Sequence, residues 1–303
     1  MRIVLERQFK TPMSLTDIHA LVQLLDDPDE HVFDAVQQAI TERGEGVLHV
    51  LEDHYLLGEP NSLSSHRIGE LITKIQYQST FTSLKDWRES EQDLLEGILI
   101  VNKYFQRHVA PEETTYLLSR IRQDVWLELN DRLTALENVN VLNHILFRLY
   151  GFSGVSSENS NAPHSVHDVL TTKTGTPLSL GTLYLLIARS LELPIYGVNV
   201  PGHFLLCYAE RMPEWLVPEG ESPEDEILFY INPFAGGSIL DREEVEKFVV
   251  SQHLPLDARF FEPCSTSDVI TRTINALSHH FIALNDSDRV RELQVLMALL
   301  LEN

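Results

Sequence analysis

The chain has few of the residues that mark disulfide-rich, membrane-spanning or nucleic-acid-binding proteins. Its two cysteines, Cys207 and Cys264, cannot build a disulfide framework and have no metal-ligand spacing. No run approaches the roughly 18 apolar residues of a membrane span, and the first ten residues lack the apolar core of a signal peptide. Basic residues number 23 against 45 acidic ones, so nucleic acids and anionic membranes would be repelled. These absences predict a cytoplasmic protein that binds neither, and they leave its oligomeric state open.

The N-terminal part of the chain has helical periodicity. The hydrophobic content of 43% and charged content of 22% are ordinary for a folded protein. From Ser14 to about Leu57, apolar residues recur at i, i+3 and i+4, and the acidic segment starting at Asp26 breaks the first helix. Two amphipathic helices around such a turn resemble a HEAT-type repeat, with a second, degenerate unit over Ser64 to Phe81 as an extension. An irregular helical subdomain explains the same pattern equally well.

The rest of the chain predicts longer helices, then short strands, then helices again. Helical stripes fill residues 83–150, and a polar loop is expected over 156–163. Short apolar or alternating runs typical of strands follow, with an exposed acidic loop over 213–225 and two final helices. The predicted strands are Leu193 to Val200, His203 to Tyr208 and Glu226 to Ile231, and the predicted helices are Asp268 to Leu284 and Ser287 to Leu301. This order predicts an α+β protein.

Three polar residues fall in the order of a nucleophile, a base and an orienting group. Ser179 lies in the first turn of a helix for which Thr176 is the expected N-cap and Pro177 the first residue. His203 follows a Pro-Gly pair at the start of a predicted strand, and Asn232 ends another. A cysteine at the helix start would have a lowered pKa and could pair with a histidine. Serine would instead need its proton removed by His203 in the transition state.

These segments resemble the transglutaminase-like superfamily, and within it the SirB branch. The resemblance is carried by GTPLSLGTLYLLIARSLELPIYGVNVPGHFLL, which starts at Gly175, and by INPFAGG, which starts at Ile231. It implies a papain-like core and places Ser179 where active members have Cys, His203 at their His, and Asn232 at their Asp. Together with the helical patterns, it predicts three regions: a HEAT-like helical region (1–82), a transglutaminase-like core (83–265) and a C-terminal helical hairpin (266–303).

Each of these residues also has a structural interpretation. Ser179 can satisfy backbone donors at the helix start, His203 can be a core residue, and Asn232 can close its strand with an Asx turn. Cys207 shares a strand face with His203, but a four-residue separation of roughly 13 Å makes it a poor nucleophile for that base. The histidine pairs 164/167 and 279/280 lack convincing partners for zinc.

Two functions remain open on these observations. The first is a non-catalytic module that binds a protein or peptide in the former catalytic cleft, with the N-terminal helices as a second interaction surface. The second is a weak hydrolase or acyltransferase in which Ser179 attacks, His203 removes the proton and Asn232 orients the imidazole. An amide cannot supply the charge that stabilises imidazolium, and the Asp-to-Asn change in a serine protease costs about ten-thousand-fold. No cofactor and no metal are expected in either case.

Overall fold

The computed structural model describes residues 15–59, 62–106, 109–155, 164–209 and 226–301. The chain divides into two compact units, Met1–Ser83 and Leu84–Asn303. The α+β class is confirmed, while the loops predicted over 156–163 and 213–225 lie outside the described residues. No helix in the described ranges has both the length and the apolar character that crossing a bilayer requires.

The first unit is a set of helices around one apolar core. Its elements are α1 (Leu15–Gln23), α2 (Glu30–Thr41), α3 (Leu48–Leu57) and the first part of α4 (Leu63–Glu89). The turn after α1 is held by Arg67, whose guanidinium donates to Leu25 O and Asp27 O at 2.9 Å each and lies over the Phe33 ring. The acidic turn predicted from Asp26 is therefore present, and Asp29 caps α2 by accepting from His31 N.

The second HEAT-like unit predicted over Ser64 to Phe81 is wrong. This segment lies within α4, a single uninterrupted helix of 27 residues. A helix–turn–helix unit needs a break, but Gly69 is the one Gly or Pro between Ser64 and Phe81, and the helix continues through it. The HEAT-like character of the first helices stays a prediction.

The second unit combines helices with two small sheets. Its helices after α4 are α5 (Leu94–Phe105), α6 (Pro111–Glu128), α7 (Ala135–Asn143) with a π-helical turn at His144–Leu149, α8 (Val166–Thr172), α9 (Pro177–Ser190), α10 (Arg242–Ser251), α11 (Thr266–Ala283) and α12 (Ser287–Leu301). The final helices thus belong to the same compact unit as the core. The three-region division at residues 83 and 266 stays a prediction.

Helix α9 is buried on all sides. Every residue from Ser179 to Ala188 is buried, as expected for a helix that is apolar around its whole circumference. Its start is fixed by the predicted Thr176 cap and Pro177 at the first position, both of which are confirmed. The helix therefore forms the axis about which the other elements of the candidate site are arranged.

The strands form a parallel pair and an antiparallel meander. Strands β1 (Ser153–Gly154) and β2 (Thr174–Gly175) are parallel. The four-stranded sheet has the order β3-β4-β5-β6, with β3 (Ile195–Val198), β4 (Leu205–Ala209), β5 (Ile227–Asn232) and β6 (Ser238–Leu240). Each strand pairs with the next along the chain, as in a meander.

The predicted strand start at His203 is wrong, because β4 begins at Leu205. The Pro201-Gly202 turn continues through His203, whose N–H donates to Val200 O at 3.1 Å. Gly202 has φ +72°, in the left-handed region that glycine adopts readily. His203 therefore lies on a turn at the edge of the sheet.

Candidate functional site

The hydroxyl of Ser179 takes part in the cap of α9. Thr176 and Ser179 form a reciprocal capping box in which Ser179 Oγ accepts from Thr176 N at 2.9 Å and Thr176 Oγ1 accepts from Ser179 N at 3.2 Å. The two hydroxyl oxygens are 3.1 Å apart. Ser179 is only 3% exposed. The local chemistry is that of a buried cap, in which serine oxygen satisfies a backbone donor at the helix start.

The imidazole of His203 is half-buried between two aromatic rings. It meets Phe248 of α10 edge to face at a centroid distance of 4.5 Å and Phe234 at 6.5 Å. Burial, and then the positive charge of Arg272, lower the pKa of His203 below its usual value. A neutral imidazole is therefore favoured at neutral pH, which is the form that can accept a proton.

Asn232 closes β5 and caps the short 3₁₀ turn that follows. Its side-chain oxygen accepts from Ala235 N at 3.2 Å. Gly237 N returns to Asn232 O at 2.9 Å, so the whole 232–237 segment is a tight turn. The side chain of Asn232 therefore acts as an N-cap that bonds the backbone three residues on, whereas the predicted Asx turn would bond it two residues on.

Packing contacts bring the three segments to the same part of the second unit. A Cβ at Gly181 of α9 would lie 2.4 Å from the ring of Phe204, so the residue after His203 packs directly on the helix that carries Ser179. Phe234, two residues after Asn232, is one of the two rings that His203 meets. The catalytic roles predicted for the three side chains remain predictions.

Asn143 connects α9 to the turn after Asn232. Its amide donates to Gly237 O at 2.7 Å, and its oxygen accepts from Tyr184 OH at 3.2 Å. Tyr184 is fully buried, and burial raises its pKa well above the usual value. The bridge lies at the end of α7, where the π-helical turn begins, and π-helical turns are frequent at functional sites.

Arg272 of α11 holds the turn that carries His203, and sequence reasoning missed it. Its guanidinium donates to Asn199 Oδ1 at 2.9 Å, to Val200 O at 3.0 Å and to His203 O. It also lies over the Phe204 ring, 5.5 Å from the centroid. A signal was present in the sequence, because Arg272 is the only basic residue in the predicted stripe between Asp268 and Leu277.

Neither cysteine offers a nucleophile. Cys207 and Cys264 are both buried. Burial raises the pKa of Cys207 far above its usual value and that of Cys264 to about 12. Thiolates are the reactive form of cysteine, so both side chains act as small buried residues, as predicted for Cys207.

His164 and His167, which form one of the two sequence pairs, each contact a different residue. His164 packs on His280 with ring centroids 5.1 Å apart, while His167 Nδ1 lies 3.1 Å from Thr114 Oγ1. Burial, and then His280, lower the pKa of His164. Within the ranges that the structure describes, no three His, Cys, Asp or Glu side chains come together to hold a metal ion.

Acidification is expected to destabilise the protein. His164 and His203 both have lowered pKa values in the folded state, so below their usual pKa of about 6.5 the unfolded chain takes up protons first. The free energy of unfolding should therefore fall as the pH is lowered through 6.5, as urea titrations at stepwise lower pH can measure. The fall should be smaller in His164→Gln and His203→Gln variants. An unchanged pH slope in both variants would contradict this assignment.

Comparisons with known proteins find a matching family and several relatives. A family model described as "Transglutaminase-like superfamily" matches residues 112–275. Mouse F-box only protein 21 is 31% identical over 140 residues, which cover 46% of this chain and 21% of that protein. A UPF0162 protein of Xylella fastidiosa is 28% identical over 155 residues, 49% of this chain and 50% of the relative. UPF0162 protein BU173 of Buchnera aphidicola is 27% identical over 192 residues, 62% and 65% respectively.

The chain spans only part of these curated relatives, from about a fifth to about two thirds of their length. No solved structure matches the chain. The matched family region contains Ser179, His203 and Asn232.

Proposed function

The chain belongs to the transglutaminase-like superfamily, and from this premise we propose that it is a non-catalytic member that binds a protein or peptide partner. Its place in the SirB branch, the HEAT-like first unit as a second interaction surface, and a cytoplasmic location without nucleic-acid or membrane partners belong to the same proposal. The observation that carries it is the capping box, in which Ser179 Oγ accepts from Thr176 N.

The chemistry of acyl transfer supports this proposal. A thioester route needs a thiolate at the helix start, and the residue there is a serine whose oxygen is already a cap acceptor. The orienting residue is an amide without charge, and its oxygen accepts from Ala235 N. Ser179 and Asn232, the first and third residues of the predicted triad, therefore both accept hydrogen bonds from the local backbone. A fold can be kept in this way without the chemistry that it supports in other members.

A second candidate, a weak hydrolase or acyltransferase, is favoured by one observation. Burial and Arg272 lower the pKa of His203, so its imidazole is neutral at pH 7 and can accept a proton. In this reaction Ser179 Oγ would attack an acyl carbon as its proton passes to His203, and the same proton would then leave with the departing group.

A fluorophosphonate probe separates the two candidates. With the purified full chain, we expect intact-mass spectrometry to detect no phosphonylated Ser179, because a neutral capping hydroxyl is a poor nucleophile. An adduct at Ser179 in the wild type that disappears in His203→Ala would establish the second candidate and overturn the first.

Binding is the other arm of the same test. A partner captured by the immobilised full chain from native extract should be identified, purified and titrated by calorimetry. We expect Ser179→Ala and His203→Ala to leave the capture intact, since the proposal assigns no reaction to them. Failure of the full chain to retain any partner would contradict the binding function.

A further inference from the structure

A pocket of about 280 Å³ lies at the C-terminal end of α9, the end opposite to Ser179. One face of α6 lines it, since Thr115, Ser119 and Arg122 follow helical spacing with Leu118. Leu118 and Ile187 are buried apolar lining residues. An apolar interior with a polar rim is typical of small-ligand sites.

Two guanidinium groups give this pocket its charge. Arg189 is half-buried and donates to the neutral hydroxyl of Thr266 at 2.9 Å, and burial lowers its pKa. Arg122 donates through Nε to Ser190 O at 2.9 Å, while its terminal amino groups meet no acceptor in the described part of the chain. Asp93 is the third charged lining residue, and its negative charge offsets one of the two arginines. The pocket therefore carries one net positive charge. A positive pocket is unusual in a chain with a net charge of −22.

A second pocket adjoins the first and has room for further residues of a bound peptide. It measures about 430 Å³ and shares Arg122 and Ser190 with the first. Trp126, 60% exposed, lines it together with Leu129. Exposed tryptophan is enriched in protein interfaces. A small free acid would fill only the first pocket, whereas a peptide that ends there could lay its preceding residues along Trp126.

We propose that the first pocket binds the C-terminal residue of a peptide or protein partner, with its carboxylate at Arg122 and Arg189 and its apolar side chain against Leu118 and Ile187. Guanidinium is the group best matched to a carboxylate, through paired hydrogen bonds. The N-terminus of α5, which begins at Leu94 in the pocket wall, is already capped by Asp93, whose carboxylate accepts from Glu96 N at 2.8 Å. The attraction for the carboxylate of the peptide therefore comes from the two guanidinium groups. This inference rests on the proposed binding function and gives it a partner chemistry. It places the partner at the end of α9 opposite to Ser179 and not in the former catalytic cleft.

The test uses the fluorescein-labelled peptide Gly-Ser-Gly-Ser-Leu with a free C-terminal carboxylate, its C-terminal amide, and 4-methylpentanoate as the free acid. Fluorescence anisotropy measures the Kd of the two peptides for the full chain, and the unlabelled acid is used as a competitor. We expect the amide to bind at least about tenfold more weakly than the acid peptide, equivalent to about 1.4 kcal/mol. The free acid should compete at least about tenfold more weakly than unlabelled acid peptide, because it makes no contact at Trp126.

Four variants test whether the peptide binds in these two pockets. Arg122→Gln should weaken the acid peptide at least about tenfold, and Arg120→Gln, an equal charge change on the same exposed helix outside both pockets, should not. Ser119→Trp, at an exposed rim position, should block the pocket without disturbing the core and abolish binding. Trp126→Ala should weaken the peptide and leave competition by the free acid unchanged.

Several outcomes would overturn the inference. They are equal affinity for the acid and amide peptides, no binding of either up to about 1 mM, and unchanged binding by Ser119→Trp. Competition by 4-methylpentanoate as strong as that by the peptide would assign the pocket to a small acid instead. If a captured protein partner binds the wild type and Ser119→Trp equally, the proposed function stands and the pocket assignment fails.

Discussion

Replacing Phe204 with alanine should lower the free energy of unfolding by about 3–5 kcal/mol, the cost of removing a fully buried aromatic ring. The ring is 1% exposed. It packs so closely that a Cβ at Gly181 would lie 2.4 Å away and one at Gly197 would lie 2.7 Å away. The ring therefore joins α9 to the β3–β4 hairpin. Urea unfolding followed by circular dichroism measures the loss.

The matched control is Phe229→Ala in the neighbouring strand. Phe229 is only half-buried and its ring packs on Tyr208, so its truncation should cost well under half as much. A double-mutant cycle gives a second check. Gly181→Ala alone should cost about 1–3 kcal/mol by overpacking, and this cost should vanish in the Phe204→Ala background. A loss below about 1.5 kcal/mol for Phe204→Ala would mean that the cavity closes on itself.

Local signals predicted the helical elements and the start of α9. The i, i+3, i+4 stripes predict the first three of the helices in the first unit, because side-chain burial follows helical period. Thr176 and Pro177 marked the first turn of α9, since capping and proline placement are decided within a few residues. The structural interpretations of Ser179 and Asn232 were readable for the same reason, as both side chains bond the backbone three residues away.

The sequence failed where longer-range contacts decide the structure. The apolar run to Tyr208 predicts a strand that starts at His203. In the structure, the turn from Pro201 extends to Phe204 and is fixed by Arg272, about 70 residues away. No periodicity reports such a contact. The pockets beside Arg122 were also invisible, because three helices distant in sequence create them. Local pattern thus predicted the framework, and tertiary packing determines which side chains meet.

Replacing Arg272 with methionine should loosen the turn that carries His203. The guanidinium donates to three acceptors on that turn, and hydrogen bonds from a charged donor contribute about 1.5–3 kcal/mol each when buried. The turn is partly open to water, which can replace some of them, so we expect a loss of about 2–3 kcal/mol in the free energy of unfolding. Methionine keeps the length and the apolar stem of the side chain, so the change isolates the charged group.

The same variant should raise the pKa of His203. Burial lowers that pKa first and the Arg272 charge lowers it further, so loss of the charge should return the pKa only part of the way to its usual value. Imidazole chemical shifts in an NMR pH titration measure the change. One control separates charge from geometry. Arg272→Lys keeps the charge but not the planar fork, so it should lose stability while the pKa stays low.

Arg259→Met removes an exposed arginine that pairs with Asp257 and should cost less than about 1 kcal/mol. An unchanged His203 pKa in Arg272→Met would show that the imidazole does not sense this charge. The neutral base required by the hydrolase candidate would then be due to burial alone. A rise in pKa would instead make Arg272 a positioning residue that sets both the location and the protonation of His203, whichever function the fold performs.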